Sequence, residues 1–255
     1  MIKSLTSLRL VCLLLLGSSV LAQQTKQKPP VQETKAAVKK KVKTKFFGKK
    51  PIPFINTALT FAGPINKIGR DGIQCDLPAA VSGKDGKALI SYLEWDGKTD
   101  RLILSRKIKK GFQQVSADVA KGVLHKPAIA IDGKGTAWIF WSETHKDTTV
   151  DLKARSWSAS KGFGSPLTLA DSDAAEAFVV AGTDSNGRVW ASWQSFRAGE
   201  ADIYARFLDP KSGKWSKKIA VATQQGGDWE PSIAFDQKGQ AWIVYDSSGG
   251  NEFNL

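Results

Sequence analysis

Carboxylates recur at matching intervals along this 255-residue chain. Asp76, Glu94, Glu143, Glu176, Glu230 and Asp246, with His125, Gln194 and Trp229 among them, stand at the edges of short apolar runs. If the chain brings them together, the set suits a sugar or a cationic group. Carboxylates accept hydrogen bonds from hydroxyls, and an indole covers the apolar face of a ring. Two opposed carboxylates could go further and support glycoside hydrolysis. Other chemistries are poorly served. His125 and His145 are the only histidines, which argues against a histidine-rich metal centre, and no cofactor is expected. There is no G-x-S-x-G elbow, P-loop, G-x-G-x-x-G or H-E-x-x-H. The run Asp171 to Glu176 could lend oxygens to calcium, but it reads as a solvated acidic loop.

The elements that must position these residues are repeated. "PAIAIDGKGTAWIFW" from Pro127 recurs as "VVAGTDSNGRVWASW" from Val179, as "PSIAFDQKGQAWIVY" from Pro231, and more loosely as "LPAAVSGKDGKALISY" from Leu77. Gly86, Gly135, Gly187 and Gly239 mark spacings of 49, 52 and 52 residues, a period that indicates a repeat architecture. Within each copy two β-favouring runs flank a turn. Asp132, Asp184 or Asp236 opens it by accepting backbone amides, and the glycine three residues on takes the left-handed conformation. Gly83 replaces the aspartate in the first copy. Arg106, Arg155 and Arg206, then Phe112, Phe163 and Trp215, recur further on and imply two more strands per repeat. Four strands in about fifty residues, with no helical period, describe the blade of a β-propeller.

The expected fold is therefore all-β, a β-propeller of four-stranded antiparallel blades over residues 51–255. Its repeats fall near 78–122, 127–170, 179–222 and 231–255, so about four blades are visible, either closed by a strand from Phe61 or, as the preferred reading, forming the first part of a longer propeller truncated at its C-terminus. A strand from Phe61 resembles an outermost strand without its own blade. Trp138, Trp190 and Trp242 stand three residues before Trp141, Trp193 and Tyr245, so the two aromatics of each strand point to opposite faces and pack between blades. The named candidates gather at one rim, Asp76, His125, Glu176, Trp229 and Glu230 before the innermost strands and Glu94, Glu143, Gln194 and Asp246 after the second strands.

The phrase P-x-I-A-x-D-x-x-G-x-x-W, at Pro127 to Trp138 and Pro231 to Trp242, resembles the repeats of sialidase-like and TolB-like bacterial β-propellers over roughly residues 61–255. The resemblance implies a propeller and an exported protein. Sialidases also grip a carboxylate with three arginines, and Arg106, Arg155 and Arg206 recur at one blade position, which indicates a structural role.

Charge separates the ends from the body. Residues 1–22 have Lys3 and Arg9, an apolar run and small residues near Ala22, the pattern of a signal peptide. Residues 23–50 hold ten lysines against Glu33 and form an expected disordered linker able to meet an anionic envelope polymer. Of the net charge of +13, only about +2 belongs to the body from Pro51 onward, so nucleic acid is not an expected partner and no transmembrane segment is expected. Cys75 has no other cysteine in the body to pair with. The reading is an exported, periplasmic, cell-envelope or extracellular propeller that binds a glycan or protein at its rim without catalysis. The alternative is part of a sialidase-like glycoside hydrolase, or a propeller fused to a hydrolase such as a metallohydrolase.

Overall fold

The computed structural model describes residues 67–83, 85–145, 149–197, 199–249 and 252–254. The described residues all fall within one compact unit, Ala62–Leu255. Residues 1–61 lie outside the described residues, and with them the expected signal peptide and linker. The strand expected from Phe61 is also outside them except for Lys67 and Ile68, which are not in a strand.

The described residues are all-β, as expected, and their strands fall into successive antiparallel groups, described as blades 1 to 4. Blade 1 comprises β1 (Gln74–Ser82), β2 (Ala88–Trp95), β3 (Asp100–Lys107) and β4 (Phe112–Leu124). Blade 2 comprises β5 (Ala128–Ile131), β6 (Ala137–Thr144), β7 (Val150–Ser158), β8 (Gly162–Phe163) and β9 (Leu167–Ala170). Blade 3 comprises β10 (Ala175–Thr183), β11 (Val189–Arg197), β12 (Glu200–Leu208) and β13 (Ile219–Ala222). Blade 4 comprises β14 (Gly227–Phe235), β15 (Ala241–Gly249) and β16 (Glu252–Asn254). Within each blade successive strands pair antiparallel.

The turns form for the reasons their sequences give. Asp132 N donates to Thr136 O at 2.9 Å and Gly135 N to Asp132 O at 3.0 Å, while Asp132 Oδ1 accepts the amides of Lys134 and Thr136. The same arrangement recurs at Asp184 and Asp236. In the copy lacking the aspartate, Gly83 keeps the two backbone bonds, and Asp85 Oδ1 accepts the amide of Lys87 at 3.1 Å.

The fourth strand departs from a simple repeat. It is continuous in blade 1, but in blade 2 it splits into β8 and β9 around Pro166, which has no amide to donate. In blade 3 Trp215 makes only an isolated bridge to Leu208 before β13. The end of β4 crosses over as well, with Val123 and Leu124 pairing with Thr144 and Glu143 of blade 2.

The cores lie between blades. One packs Leu89, Leu102, Leu104 and Val119 of blade 1 against Ile129, Ile139 and Trp141 of blade 2. The next packs Phe140, Leu152 and Leu169 of blade 2 against Val179, Ala191 and Trp193 of blade 3. Each fully buried leucine or isoleucine contributes about 1.5–3 kcal/mol. Trp141 and Trp193 are buried, whereas Trp138 packs edge-on to Trp215 with ring centroids 5.4 Å apart. The expected division of the aromatics between two faces is what the strands carry. Trp242 differs, being 61% exposed on the outer face of blade 4 beside exposed Val244.

Candidate functional site at the blade rim

Each innermost strand starts at the rim, and there the ladder slips. In β1, β10 and β14 the register shifts between Asp76 and Ala79, Ala177 and Val180, and Trp229 and Ser232. At the slip a non-glycine residue takes positive φ: Leu77 at 52°, Phe178 at 55° and Glu230 at 48°. Holding such a residue left-handed costs about 1–3 kcal/mol, and such strain clusters where the chain re-aims side chains for function. Blade 2 solves the same problem with a break. β4 ends at Leu124, His125 N donates to Ser142 O at 2.9 Å, and β5 begins after Pro127.

These registers fix which candidates are equivalent. Asp76 faces Leu93, Ala177 faces Gln194 and Trp229 faces Asp246 across the first two strands. The positions matching Asp76 are thus His125, Ala177 and Trp229, not Glu176. Glu94 and Glu143 lie opposite Cys75 and Leu124, so they match Ser195 and Ser247 rather than Gln194 and Asp246. The sequence repeat placed Glu176, Glu230, Gln194 and Asp246 one residue out of step with the others. Because successive strand side chains alternate faces, one residue moves a group to the other side of its blade.

Two of the candidate carboxylates are locked inside. Glu94 is fully buried and takes Arg70 Nη2 at 2.6 Å and Nε at 3.1 Å, and this hydrogen bond raises the Arg70 pKa further. Glu176 is fully buried too, accepting Trp193 Nε1, Arg197 Nη2 and Ser172 Oγ, each at 2.6 Å. Gln194 is also buried, and its Oε1 accepts the Glu230 amide at 3.1 Å, which ties blade 3 to the strained residue of blade 4.

The remaining candidates stay accessible. Asp76, Glu230 and Asp246 are exposed, and Asp76 Oδ2 accepts Gln74 Nε2 at 2.7 Å. Glu143 is half-buried, and its Oε2 accepts Trp141 Nε1 at 3.2 Å. His125 Nε2 lies 2.8 Å from Thr144 Oγ1. His125 is exposed, and desolvation by its neighbours lowers its pKa against an opposing pull from Asp100. Trp229 is half-buried and its ring lies back over Gly227, where a Cβ would come within 2.0 Å of it. The rim therefore has two neighbourhoods, one of Gln194, Trp229, Glu230 and Asp246 on blades 3 and 4, the other of His125 and Glu143 on blade 2.

Sequence reasoning missed Leu77 and Phe178, which carry the strain and present exposed apolar side chains at 43% and 36%. It also missed Asp202, which stands in one cross-strand row with Glu176 and Ser195. Burial raises the Asp202 pKa and Asp228 adds to the effect, although a hydrogen bond from Tyr204 opposes both. A carboxyl that keeps its proton more readily than usual is suited to act as an acid. Only tertiary neighbours reveal this property. Among the described residues no group of three or more His, Cys, Asp or Glu side chains could hold a metal ion. None of the described helices is long and apolar enough to cross a membrane, which says nothing of membrane β-barrels.

Two of the repeated arginines have separate structural duties. Arg155 Nε donates to Gly164 O at 2.8 Å and Nη1 to Val119 O at 3.1 Å, joining blades 1 and 2. Arg106 bonds Gln113 within its own blade.

No family model matches the chain. No curated protein matches it either. Solved structures do resemble it. An endo-arabinase from Bacteroides thetaiotaomicron superposes with a TM-score of 0.51 at 15% identity, covering 74% of this chain and 77% of that one. A protein of unknown function from Dyadobacter fermentans gives 0.54 at 13% identity, covering 71% and 64%. The α-L-arabinofuranosidase Arb93A from Fusarium graminearum gives 0.51 at 17% identity, covering 72% and 59%. The match thus spans less than two thirds of the length of the latter two. At these identities the likeness establishes the fold, and this chain is a β-propeller.

Proposed function

We propose that the protein is a glycan-directed propeller of the glycoside-hydrolase kind, taking an arabinose-containing oligosaccharide at its rim. The observation that carries this reading is the positive φ shared by Leu77, Phe178 and Glu230, each at the register slip near the start of an innermost strand. The fold likeness to an endo-arabinase and an α-L-arabinofuranosidase supports the choice of sugar. Trp229 and exposed Phe178 supply ring and apolar contacts, and Glu230 and Asp246 accept hydroxyl hydrogen bonds. Asp202 is the acid candidate, since burial raises its pKa, and Asp76, Glu143 and Asp246 are the carboxyl groups available for base or nucleophile. A non-catalytic binding module is the second reading, favoured by Glu94 and Glu176 being tied up in buried ion pairs. Incubating the full chain with linear and branched arabinan, and following new reducing ends, separates the two. Release that falls at least about a hundredfold in Asp202→Asn supports hydrolysis. Saturable binding without release supports the module, and neither binding nor release overturns the proposal.

A further inference from the structure

The hairpin turns lie at the end of the blades opposite the rim. Between blades 2 and 3 the hairpin turns meet there, Gly133 N donating to Gly187 O at 3.1 Å, and between blades 3 and 4 Arg188 Nη2 donates to Gly239 O at 3.1 Å. No such bond joins the described turn residues of blades 1 and 2. A cavity of about 650 Å³ opens between them, within the range of roughly 300–1,000 Å³ typical of small-molecule sites.

Its floor is apolar, made by Leu89, Ile108, Ile131 and Trp157, and its wall is cationic. Lys87, Arg106, Lys107, Lys109 and Lys134 line it against only Asp85 and Asp132. Both acids are engaged: Asp132 Oδ1 caps its turn, and Asp85 pairs with Lys87 at 3.0 Å. Lys134 reaches away to Pro210 O at 2.8 Å. Lys107 Nζ lies 5.0 Å from the Phe112 ring centroid. That leaves Arg106, held by Gln113 through Nε and Nη2, and Lys109 as the cations on the blade 1 side of the cleft. The neighbouring cleft between blades 2 and 3, about 360 Å³, balances Lys134 and Lys161 with Asp132 and Asp209. The excess positive charge is therefore specific to one cleft, and it disfavours the lysine-rich residues 23–50 as an occupant.

We infer that this cleft binds a small amphipathic organic anion, its apolar body against Trp157, Ile108 and Ile131 and its carboxylate or sulfonate toward Arg106 and Lys109. Burial of the body in the cleft supplies affinity and the cations select the charge. Neither the rim nor its proposed sugar is involved.

The test titrates the full chain with 2-naphthoate and with its neutral isostere 2-naphthamide by calorimetry. Naphthoate should bind at one site, at least about tenfold more tightly than the amide. Arg106→Gln with Lys109→Gln should weaken it by a similar factor at an unchanged unfolding midpoint, and Ala159→Trp, which fills the cleft from its exposed lip, should abolish binding. Trp229→Ala at the rim should leave it unaffected. Decanoate in a parallel titration distinguishes an aliphatic acid from an aromatic one, and binding of either with this charge dependence supports the site. No binding of either acid, equal binding of acid and amide, or binding unchanged in both variants overturns it.

Discussion

Asp184 illustrates how one side chain can serve three structural ends. Its carboxylate accepts the amides of Asn186 and Arg188, the Arg188 Nε at 2.5 Å and the Trp190 Nε1 at 3.0 Å. Burial alone would raise its pKa, but the bonds from Trp190 and Arg188 outweigh burial and hold it below the ordinary aspartate value. A depressed folded-state pKa adds stability that is fully present above the unfolded value of about 3.9 and is lost as pH falls through the folded one. Asp184→Asn should therefore cost about 1–3 kcal/mol near neutral pH. The gap between variant and parent, read from denaturant midpoints, should shrink once the pH drops below about 3.9. A gap that persists at full size in acid would show that the charge is not what the site uses. The turn was legible from Asp184 and Gly187 alone, because an Asx turn is local chemistry. The burial of Glu94 and Glu176 was not. Whether a rim acid faces solvent or Arg70 and Arg197 depends on a register one residue either way, which spacing does not resolve.

Among the elements, the hairpins of blades 1 to 4 followed from the 49- and 52-residue spacings, since period, turn and alternation all pointed the same way. The bulges in β1, β10 and β14 had no such signal. Leu77, Phe178 and Glu230 share neither size nor polarity, and nothing in their types favours positive φ. The fourth strands were anticipated as units from Phe112, Phe163 and Trp215 but are broken in blades 2 and 3, where Pro166 and the lone Trp215 bridge interrupt the ladder. Contacts between blades rest on few polar bonds, among them Thr183 Oγ1 to Ile131 O at 2.7 Å and the Arg155 bonds to blade 1. Arg155→Ala leaves the Val119 and Gly164 carbonyls without that partner and should cost about 1–3 kcal/mol in thermal or chemical unfolding, with sugar binding at the rim unchanged. Loss of sugar binding in a folded Arg155→Ala protein would move the site to the repeated arginines.

Across the molecule, one repeat position meets different surroundings. Trp138 packs against Trp215 and the core between blades 2 and 3, whereas Trp242 is 61% exposed. Trp138→Ala should cost about 3–5 kcal/mol and Trp242→Ala within about 0.5 kcal/mol in this chain, measured by equilibrium unfolding. Equal costs would mean that the face carrying Trp242 and Val244 is covered in solution. At the scale of the whole molecule, sugar binding at the rim is what the proposed function requires. The most direct measurement is calorimetric titration of the full chain with an arabino-oligosaccharide, comparing the parent with Trp229→Ala and Glu230→Gln. Binding that weakens at least about tenfold in both variants, at unchanged unfolding midpoints, is the predicted result. Binding of equal strength in the parent and both variants would contradict it.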